Sequence, residues 1–199
     1  VSAGDRTYGA TGTIGTPGTG ARTLTINGGG DARRTIFQTG IVDGVGGATS
    51  MIVSLGGDTG RVLRLSGTNT YTGTTTITRG VLDFSSVAQV PGGLTTAATT
   101  GNIIFGATGT NRAIFQNSVA TPVSLTRSVG YGDGQIHWEG NGGFSNSAAN
   151  TTWAINLGGV GSTLVWGQGG FVPNGSLLQF GVNTITNSVT NFGAVDFQN

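Results

Sequence analysis

The chain has 199 residues, enough for one domain with a substantial core, and it contains no cysteine, which excludes a disulfide framework and a thiol nucleophile. Its nine basic residues are all arginine and are balanced by eight acidic residues, so the net charge of +1 offers no basic surface for nucleic acid. Charged residues make up 9% of the chain, 39 residues are glycine, and no apolar run approaches the length of a membrane helix, so we expect strands and no membrane span.

Short apolar clusters recur along the whole chain, with Gly, Asn, Thr and Ser between them. Strands of three to five residues at this spacing are typical of a sandwich, a barrel or a parallel β-helix. In chain order the predicted strands are residues 24–26, 35–37, 51–55, 62–65, 76–78, 81–84, 103–105, 113–115, 123–125, 135–138, 153–157, 164–166, 177–180 and 195–197.

Internal similarity favours a repeating architecture. The tetrapeptide Ile-Phe-Gln-Thr at residues 36–39 returns as Ile-Phe-Gln-Asn at 114–117 and as Asp-Phe-Gln-Asn at 196–199, so that successive copies lie 78 and 82 residues apart. Residues 1–9 also resemble the segment that follows the middle copy, residues 122–132. The start of the chain therefore resembles what should follow its end, and we interpret residues 1–199 as one segment and one unit of a longer array.

Residues 65–84 read Leu-Ser-Gly-Thr-Asn-Thr-Tyr-Thr-Gly-Thr-Thr-Thr-Ile-Thr-Arg-Gly-Val-Leu-Asp-Phe. This segment resembles the autotransporter-associated β-strand repeat of bacterial passenger domains, whose pattern is L-S-G-x-N-T-Y-T-G-x-T-x-I-x-x-G-x-L. Residues 136–145 and 170–176 also resemble segments of large repetitive proteins that carry this repeat. The matching repeat positions are Leu65, Gly67, Asn69, Thr70, Tyr71, Thr72, Gly73, Ile77, Gly80 and Leu82.

The resemblance implies a right-handed parallel β-helix, or β-solenoid, on the surface of a Gram-negative-type bacterium or secreted from it. The residues themselves indicate strand, corner, strand, corner, strand, with corners at Asn69 and Gly80. A stack of ordinary hairpins in a sandwich is the alternative fold. We expect an all-β protein of roughly eight to ten stacked coils. Its predicted core is Leu55, Leu65, Ile77, Leu82, Ile104, Phe115, Ile136, Ile155, Leu164 and Leu178.

Catalytic residues are not evident. His137 is the only histidine, no Gly-x-Ser-x-Gly motif is present, and the alternation of His137 with apolar neighbours is typical of a strand surface. The acidic pairs Asp43 with Asp58 and Asp133 with Glu139 lack the spacing of a metal-binding loop. We therefore predict no enzymatic activity, no cofactor and no metal.

Three tryptophans, Trp138, Trp153 and Trp166, lie within or beside predicted strands. Exposed indole rings would stack on sugars, whereas buried rings would fill the core. We predict an extracellular structural protein, a repeat unit of a bacterial surface fibre, stalk or coat with adhesion as a consequence. The alternatives are a carbohydrate-binding module that uses these tryptophans on a polysaccharide, and a polysaccharide-cleaving β-helix enzyme.

The ends of the chain favour association of one copy with the next. Residues 1–8 show no amphipathic cap pattern, and Asp196 is the single charged residue among the last twenty. Unprotected edge strands pair with other chains unless a cap, a charge or a proline covers them. We expect the Val1 end of one copy to cover the Asn199 end of another, a head-to-tail contact that propagates into filaments.

Overall fold

The computed structural model describes residues 4–9, 12–15, 18–28, 34–56, 61–149, 151–159, 161–181, 189–192 and 195–196, the last two ranges as backbone. Several predictions fall outside these residues. They concern Asp58 of one acidic pair, residues 197–199 of the third tetrapeptide copy, and the terminal residues 1–3 and 197–199 that were expected to meet head to tail.

Strands and loops make up nearly all of the described chain, which also holds one 3-10 helix, η1 (Val87–Gln89). The strands are β1 (Arg6–Tyr8), β2 (Thr13–Ile14), β3 (Arg22–Gly28), β4 (Arg34–Phe37), β5 (Gly40–Ile41), β6 (Thr49–Leu55), β7 (Val62–Leu65), β8 (Thr75–Phe84), β9 (Ile103–Phe105), β10 (Ala113–Asn117), β11 (Val123–Leu125), β12 (Ile136–Trp138), β13 (Gly142–Asn146), β14 (Thr152–Ile155), β15 (Leu164–Val165), β16 (Leu178–Phe180), β17 (Val189–Phe192) and β18 (Val195–Asp196).

Eleven strands form one parallel sheet. Its longest path runs β1-β4-β7-β8-β10-β13-β16, while β3, β6, β9 and β12 join it through the first half of β8. Three small parallel sheets, β11-β14-β17, β15-β18 and β2-β5, complete the described pairings. Every pairing between these strands is parallel, so neighbouring strands come from segments that are distant in the sequence.

Strand β8 belongs to both parts of the large sheet because it bends at Gly80. Residues 75–77 pair with β6 and β9, whereas residues 81–84 pair with β7 and β10. Gly80 has φ of +94°, and a Cβ atom there would lie 2.8 Å from the Cβ of Leu55. Only glycine fits a positive φ and this close approach, so the motif glycine fixes the bend.

Apolar side chains align in register across the large sheet to form the core. Leu82 pairs with Phe115, Phe115 with Phe144, and Phe144 with Phe180. Nine of the ten predicted core residues are buried, and Leu178 is partly buried against the same cluster. The core prediction is therefore confirmed except that Leu178 lies at its margin.

The right-handed parallel β-helix of eight to ten coils is not what the structure shows, and the prediction is corrected. The described strands form a branched 11-stranded sheet, with seven strands on its longest path, and three small sheets. Strand lengths range from two residues in β2 to ten in β8, and residues 85–102 hold only η1 between two strands. Unequal strands and a long loop prevent the uniform coils that the short motif implied.

The first two tetrapeptide copies do not occupy equivalent positions in the large sheet. Phe37 aligns through Leu65 and Phe84 with Asn117, whereas Phe115 lies two residues earlier on β10. Residues 1–9 and 122–132 also differ, because Arg6 is exposed on β1 whereas Arg127 is buried outside any strand. These two pairs of similar segments therefore have different positions in the structure, and the interpretation of residues 1–199 as one unit of a longer array stays a prediction.

Candidate functional site

The matching motif residues build a corner, residues 69–75, between β7 and β8. Asn69 is buried, and its side chain accepts a hydrogen bond from the Ile41 backbone N–H at 2.9 Å and donates one to the Gln89 carbonyl at 2.7 Å. The backbone N–H of Thr70 donates to the Ile41 carbonyl at 2.9 Å. Asn69 therefore ties its own corner to two segments that lie 28 and 20 residues away in the sequence.

A carboxylate extends the same corner at its exposed side. Asp43 accepts hydrogen bonds from the backbone N–H groups of Thr49 at 2.7 Å and Thr72 at 3.0 Å, and from the Thr72 hydroxyl at 2.7 Å. Desolvation raises the pKa of Asp43, but these three hydrogen bonds outweigh it and hold the pKa below the ordinary value of 3.8. The carboxylate is thus a structural acceptor.

Tyr71 closes the interior side of the corner. Its ring is buried, and its hydroxyl shares a 2.5 Å hydrogen bond with the hydroxyl of Thr75. Burial raises the pKa of Tyr71, although the hydrogen bond to Thr75 and the nearby Arg127 charge oppose the shift. The phenol remains neutral and serves as a packed, hydrogen-bonded core residue.

The motif glycines allow neighbouring backbones to touch. A Cβ atom at Gly67 would overlap the backbone of Thr39 and Gly40, and one at Gly73 would overlap the backbone of Thr49. Leu65, Ile77 and Leu82 are buried in the core. Each matching position of the motif therefore has a packing or hydrogen-bonding role that the structure makes visible.

Arg127 is a site that sequence reasoning missed. Arg127 is 0% exposed. Its guanidinium donates hydrogen bonds to the carbonyls of Gly93 at 2.8 Å, Gly101 at 2.6 Å, Gly134 at 3.3 Å and Pro91. Burial lowers its pKa to about 10, so the group is still a cation at neutral pH. The planar guanidinium of Arg127 therefore connects the long loop before β9 to the loop before β12 by hydrogen bonds.

Buried amides and a carboxylate cross-link the middle of the large sheet. The Asn117 amide donates to the Asn146 amide oxygen at 3.0 Å, and both residues are fully buried. Nearby, the carboxylate of buried Asp83 accepts from the Arg64 Nε at 2.5 Å and from the Gln116 amide at 3.1 Å. These contacts join neighbouring strands and satisfy polar groups inside the fold.

The remaining titratable cluster lies on β12. His137 is buried, its Nε2 lies 3.4 Å from Glu139 Oε1, and its ring packs against Tyr131 at 4.8 Å between centroids. Asp133, the other member of this predicted acidic pair, is exposed. Within the described ranges no group of three His, Cys, Asp or Glu residues could hold a metal ion.

The three tryptophans do not form a joint sugar platform. Trp138 is 1% and Trp153 is 0% exposed, and their rings pack edge-on against Phe144. Trp166 is partly buried and packs against Phe171 at 6.0 Å between centroids. Two of the three rings therefore belong to the core. Tyr131, at 71% exposure, is the most exposed aromatic residue of the described chain.

An open cleft of about 290 Å³ lies where β1, β3 and β4 meet. Tyr8, Leu24, Ile26 and Phe37 supply apolar surface, and the Tyr8 and Phe37 rings lie 5.8 Å apart between centroids. Its lining also includes Arg6 and Arg61 and, among the described residues, no acidic side chain. The apolar interior is thus reachable by solvent at this end of the sheet.

Comparison with family models, with curated proteins and with solved structures gives no match to this chain. The resemblance of residues 65–84 to the autotransporter-associated repeat therefore stays a prediction. The described residues contain no helix that is long and apolar enough to cross a membrane.

Proposed function

We propose that the protein is a structural unit of a bacterial surface assembly outside the cell, and that copies associate head to tail. The observation that carries this proposal is the position of β1 and β16 at opposite ends of one parallel path. Because all strands on the path run in the same direction, β1 of a second copy can follow β16 without any change of polarity. Such a contact is heterologous and repeats indefinitely.

The apolar cleft beside β1 supports the same function. Contact with a second copy would cover exposed Tyr8 and partly exposed Leu24 and would be stabilised by it, since apolar surface is driven out of water. At the opposite end of the path, Leu177 and Phe180 are 56% and 50% exposed. Association of unlike ends removes both apolar surfaces from water at once.

The cross-linked corners suit a scaffold. Asn69, Asp43 and Arg127 each join segments that are distant in the sequence. The extracellular location rests on the motif resemblance, and the lack of lysine and cysteine is compatible with it.

The test is a dilution series of the purified protein, followed by light scattering and negative-stain electron microscopy. We expect the mean mass to rise continuously with concentration and rods of constant width to appear. A monomer at every concentration would contradict the proposal, and so would a closed dimer that does not grow.

Carbohydrate binding is a second candidate function, and Tyr131 is the observation that favours it. Its exposed ring is held against His137 beside the exposed Glu139, which gives a fixed aromatic face next to a hydrogen-bond acceptor. If this function is correct, Tyr131→Ala abolishes binding on a glycan array, whereas Trp153→Phe leaves it unchanged. Equal signals from the wild type and Tyr131→Ala would refute it.

A further inference from the structure

We propose that Asn174 is a site of spontaneous covalent modification, at which the side-chain amide becomes a carboxylate after attack by the backbone nitrogen of Gly175. The chain contains three Asn-Gly pairs, at residues 27–28, 141–142 and 174–175. The structure places these pairs in three different environments, and of the three only residues 174–175 leave both reacting groups accessible. This chemistry requires no association between copies.

The reaction uses an asparagine side chain, the peptide nitrogen that follows it, and water. A bond forms between the Gly175 nitrogen and Asn174 Cγ, the bond from Cγ to Nδ2 breaks, and the amide nitrogen leaves as ammonia with the peptide proton. Water then opens the resulting five-membered succinimide at either carbonyl, which gives aspartate or isoaspartate without oxidation or reduction. Asparagine is a thermolabile residue, and a following glycine has no Cβ atom that would hinder the attack.

The reactive pair lies in an exposed turn before β16. Asn174 and Gly175 are both exposed, and the Ser176 N–H closes the turn by donating to the Pro173 carbonyl at 3.0 Å. Among the described residues, neither the Asn174 amide nor the Gly175 N–H has a hydrogen-bond partner. A Cβ atom on Gly175 would meet nothing within 4 Å. Rotation of the Asn174 side chain and of the glycine backbone can therefore bring the nitrogen to Cγ.

Asn141 begins a chemically identical pair whose reacting atoms are all held. The residue is 6% exposed, its Nδ2 donates to the Gly109 carbonyl at 2.7 Å, and its Oδ1 accepts from the Leu177 N–H at 2.9 Å. The attacking group would be the Gly142 N–H, which donates to the Leu177 carbonyl at 3.0 Å. These three hydrogen bonds must open before the reaction can begin.

Asn27 separates the effect of side-chain exposure from that of backbone freedom. Its side chain is exposed, but Gly28 is the last residue of β3 and pairs with Leu55 of β6. The Gly28 carbonyl accepts a hydrogen bond from the Gly56 N–H. In a parallel pair the N–H and C=O of one residue point to the same neighbour, so the Gly28 nitrogen also faces β6. Local opening that costs about 1.4 kcal/mol slows the reaction about tenfold, and Asn27 should therefore react more slowly than Asn174.

The modification places a charge where this part of the chain has none. Residues 140–181 contain no charged residue, and one new carboxylate cancels the formal net charge of +1. A protein without net charge associates and precipitates more readily than a charged one. We therefore expect aged protein to contain a more acidic form that ion-exchange chromatography separates and that is less soluble at neutral pH.

Peptide mapping of the folded protein measures all three reactions in one experiment. Purified protein is incubated in mildly alkaline buffer below its unfolding transition and digested with pepsin at acid pH, and mass spectrometry locates each amide that has become a carboxylate. We expect conversion at Asn174 to be at least about tenfold faster than at Asn27 or Asn141. The product should contain isoaspartate as well as aspartate, and each should carry one oxygen atom from isotopically labelled water.

Urea separates the effect of the fold from that of the local sequence. In urea the three pairs lose their surroundings and should react at similar rates, since each is the same dipeptide. Asn174→Gln is the matched control, because its longer side chain would have to close a larger ring. That variant should show no conversion at position 174 and unchanged rates at Asn27 and Asn141. Asn174→Asp should elute from the ion-exchange column with the acidic form of the aged wild type.

Three results would overturn the proposal. The first is an unmodified Asn174 in the folded protein under conditions where it reacts in urea. The second is equal conversion of all three pairs in the folded protein, because the turn would then confer no reactivity of its own. The third is aspartate without isoaspartate at position 174, which would indicate direct hydrolysis and no attack by Gly175. None of these results depends on whether rods form.

Discussion

Replacement of Arg127 by methionine should destabilise the fold strongly. The buried guanidinium donates four hydrogen bonds to the carbonyls of residues 91, 93, 101 and 134. A hydrogen bond to a charged group contributes about 1.5–3 kcal/mol net. Part of the total is offset, because burial of a cation costs several kcal/mol. Methionine keeps the apolar stem but leaves the carbonyls without donors, so we expect a loss of about 3–5 kcal/mol in the free energy of unfolding.

Urea denaturation monitored by circular dichroism measures this loss as a lower transition midpoint. Arg112→Met is the matched control, since Arg112 is exposed and its side chain should contribute within about 0.5 kcal/mol. Arg127→Lys should fall between the two, because an ammonium lacks the planar fork that reaches all four carbonyls. Equal midpoints for Arg127→Met and Arg112→Met would refute the role of Arg127.

Three further substitutions test the motif corner by the same denaturation assay. Asn69→Ala should cost about 2–4 kcal/mol, because it leaves a buried donor and a buried acceptor unsatisfied, whereas exposed Asn27→Ala should be neutral. Gly67→Ala should cost about 2–3 kcal/mol by backbone overlap, and Gly4→Ala, with open space around it, should have no effect; equal midpoints would contradict the packing argument. Since the folded pKa of Asp43 lies below 3.8, its carboxylate contributes stability above that pH and loses the contribution as the pH falls through the folded pKa. Asp43→Asn should therefore reduce the fall in stability below about pH 4, and an unchanged pH profile would count against the three hydrogen bonds of Asp43.

Strand positions were largely predictable from local sequence. Residues 51–55 alternate buried and half-buried positions in β6, as the apolar pattern indicated, and every predicted strand overlaps a strand of the structure. Strand β13 was missed because Gly-Gly-Phe-Ser-Asn has no alternation, and its burial arises from β10 and β16 on either side. Such a strand can be recognised only from the strands that pair with it and not from its own residues.

The motif corner was predicted in position but not in mechanism. A turn at Asn69 follows from its residue type, yet its partners Ile41 and Gln89 lie in other segments, and no spacing rule connects them. The structural role of Arg127 was even harder to predict from the sequence, because a single arginine in a polar stretch is normally a surface residue. Only the carbonyls that converge on it from two loops explain its burial.

The prediction of a regular β-helix extrapolated from the motif in residues 65–84 to the whole chain. The bend at Gly80 and the contacts around Asn69 are local and do occur. They do not dictate equal strand lengths elsewhere, and residues 85–102 depend on Arg127 instead of a strand ladder for their position. A local motif therefore specified its own corner and not the global regularity.

Fibre diffraction from oriented, concentrated protein tests the central claim most directly. If copies join through β16 and β1, the strands lie across the filament and their separation of about 4.7–4.9 Å repeats along its axis. We therefore expect a sharp meridional reflection at that spacing. A reflection at that spacing on the equator, or filaments without it, would contradict head-to-tail growth of the sheet.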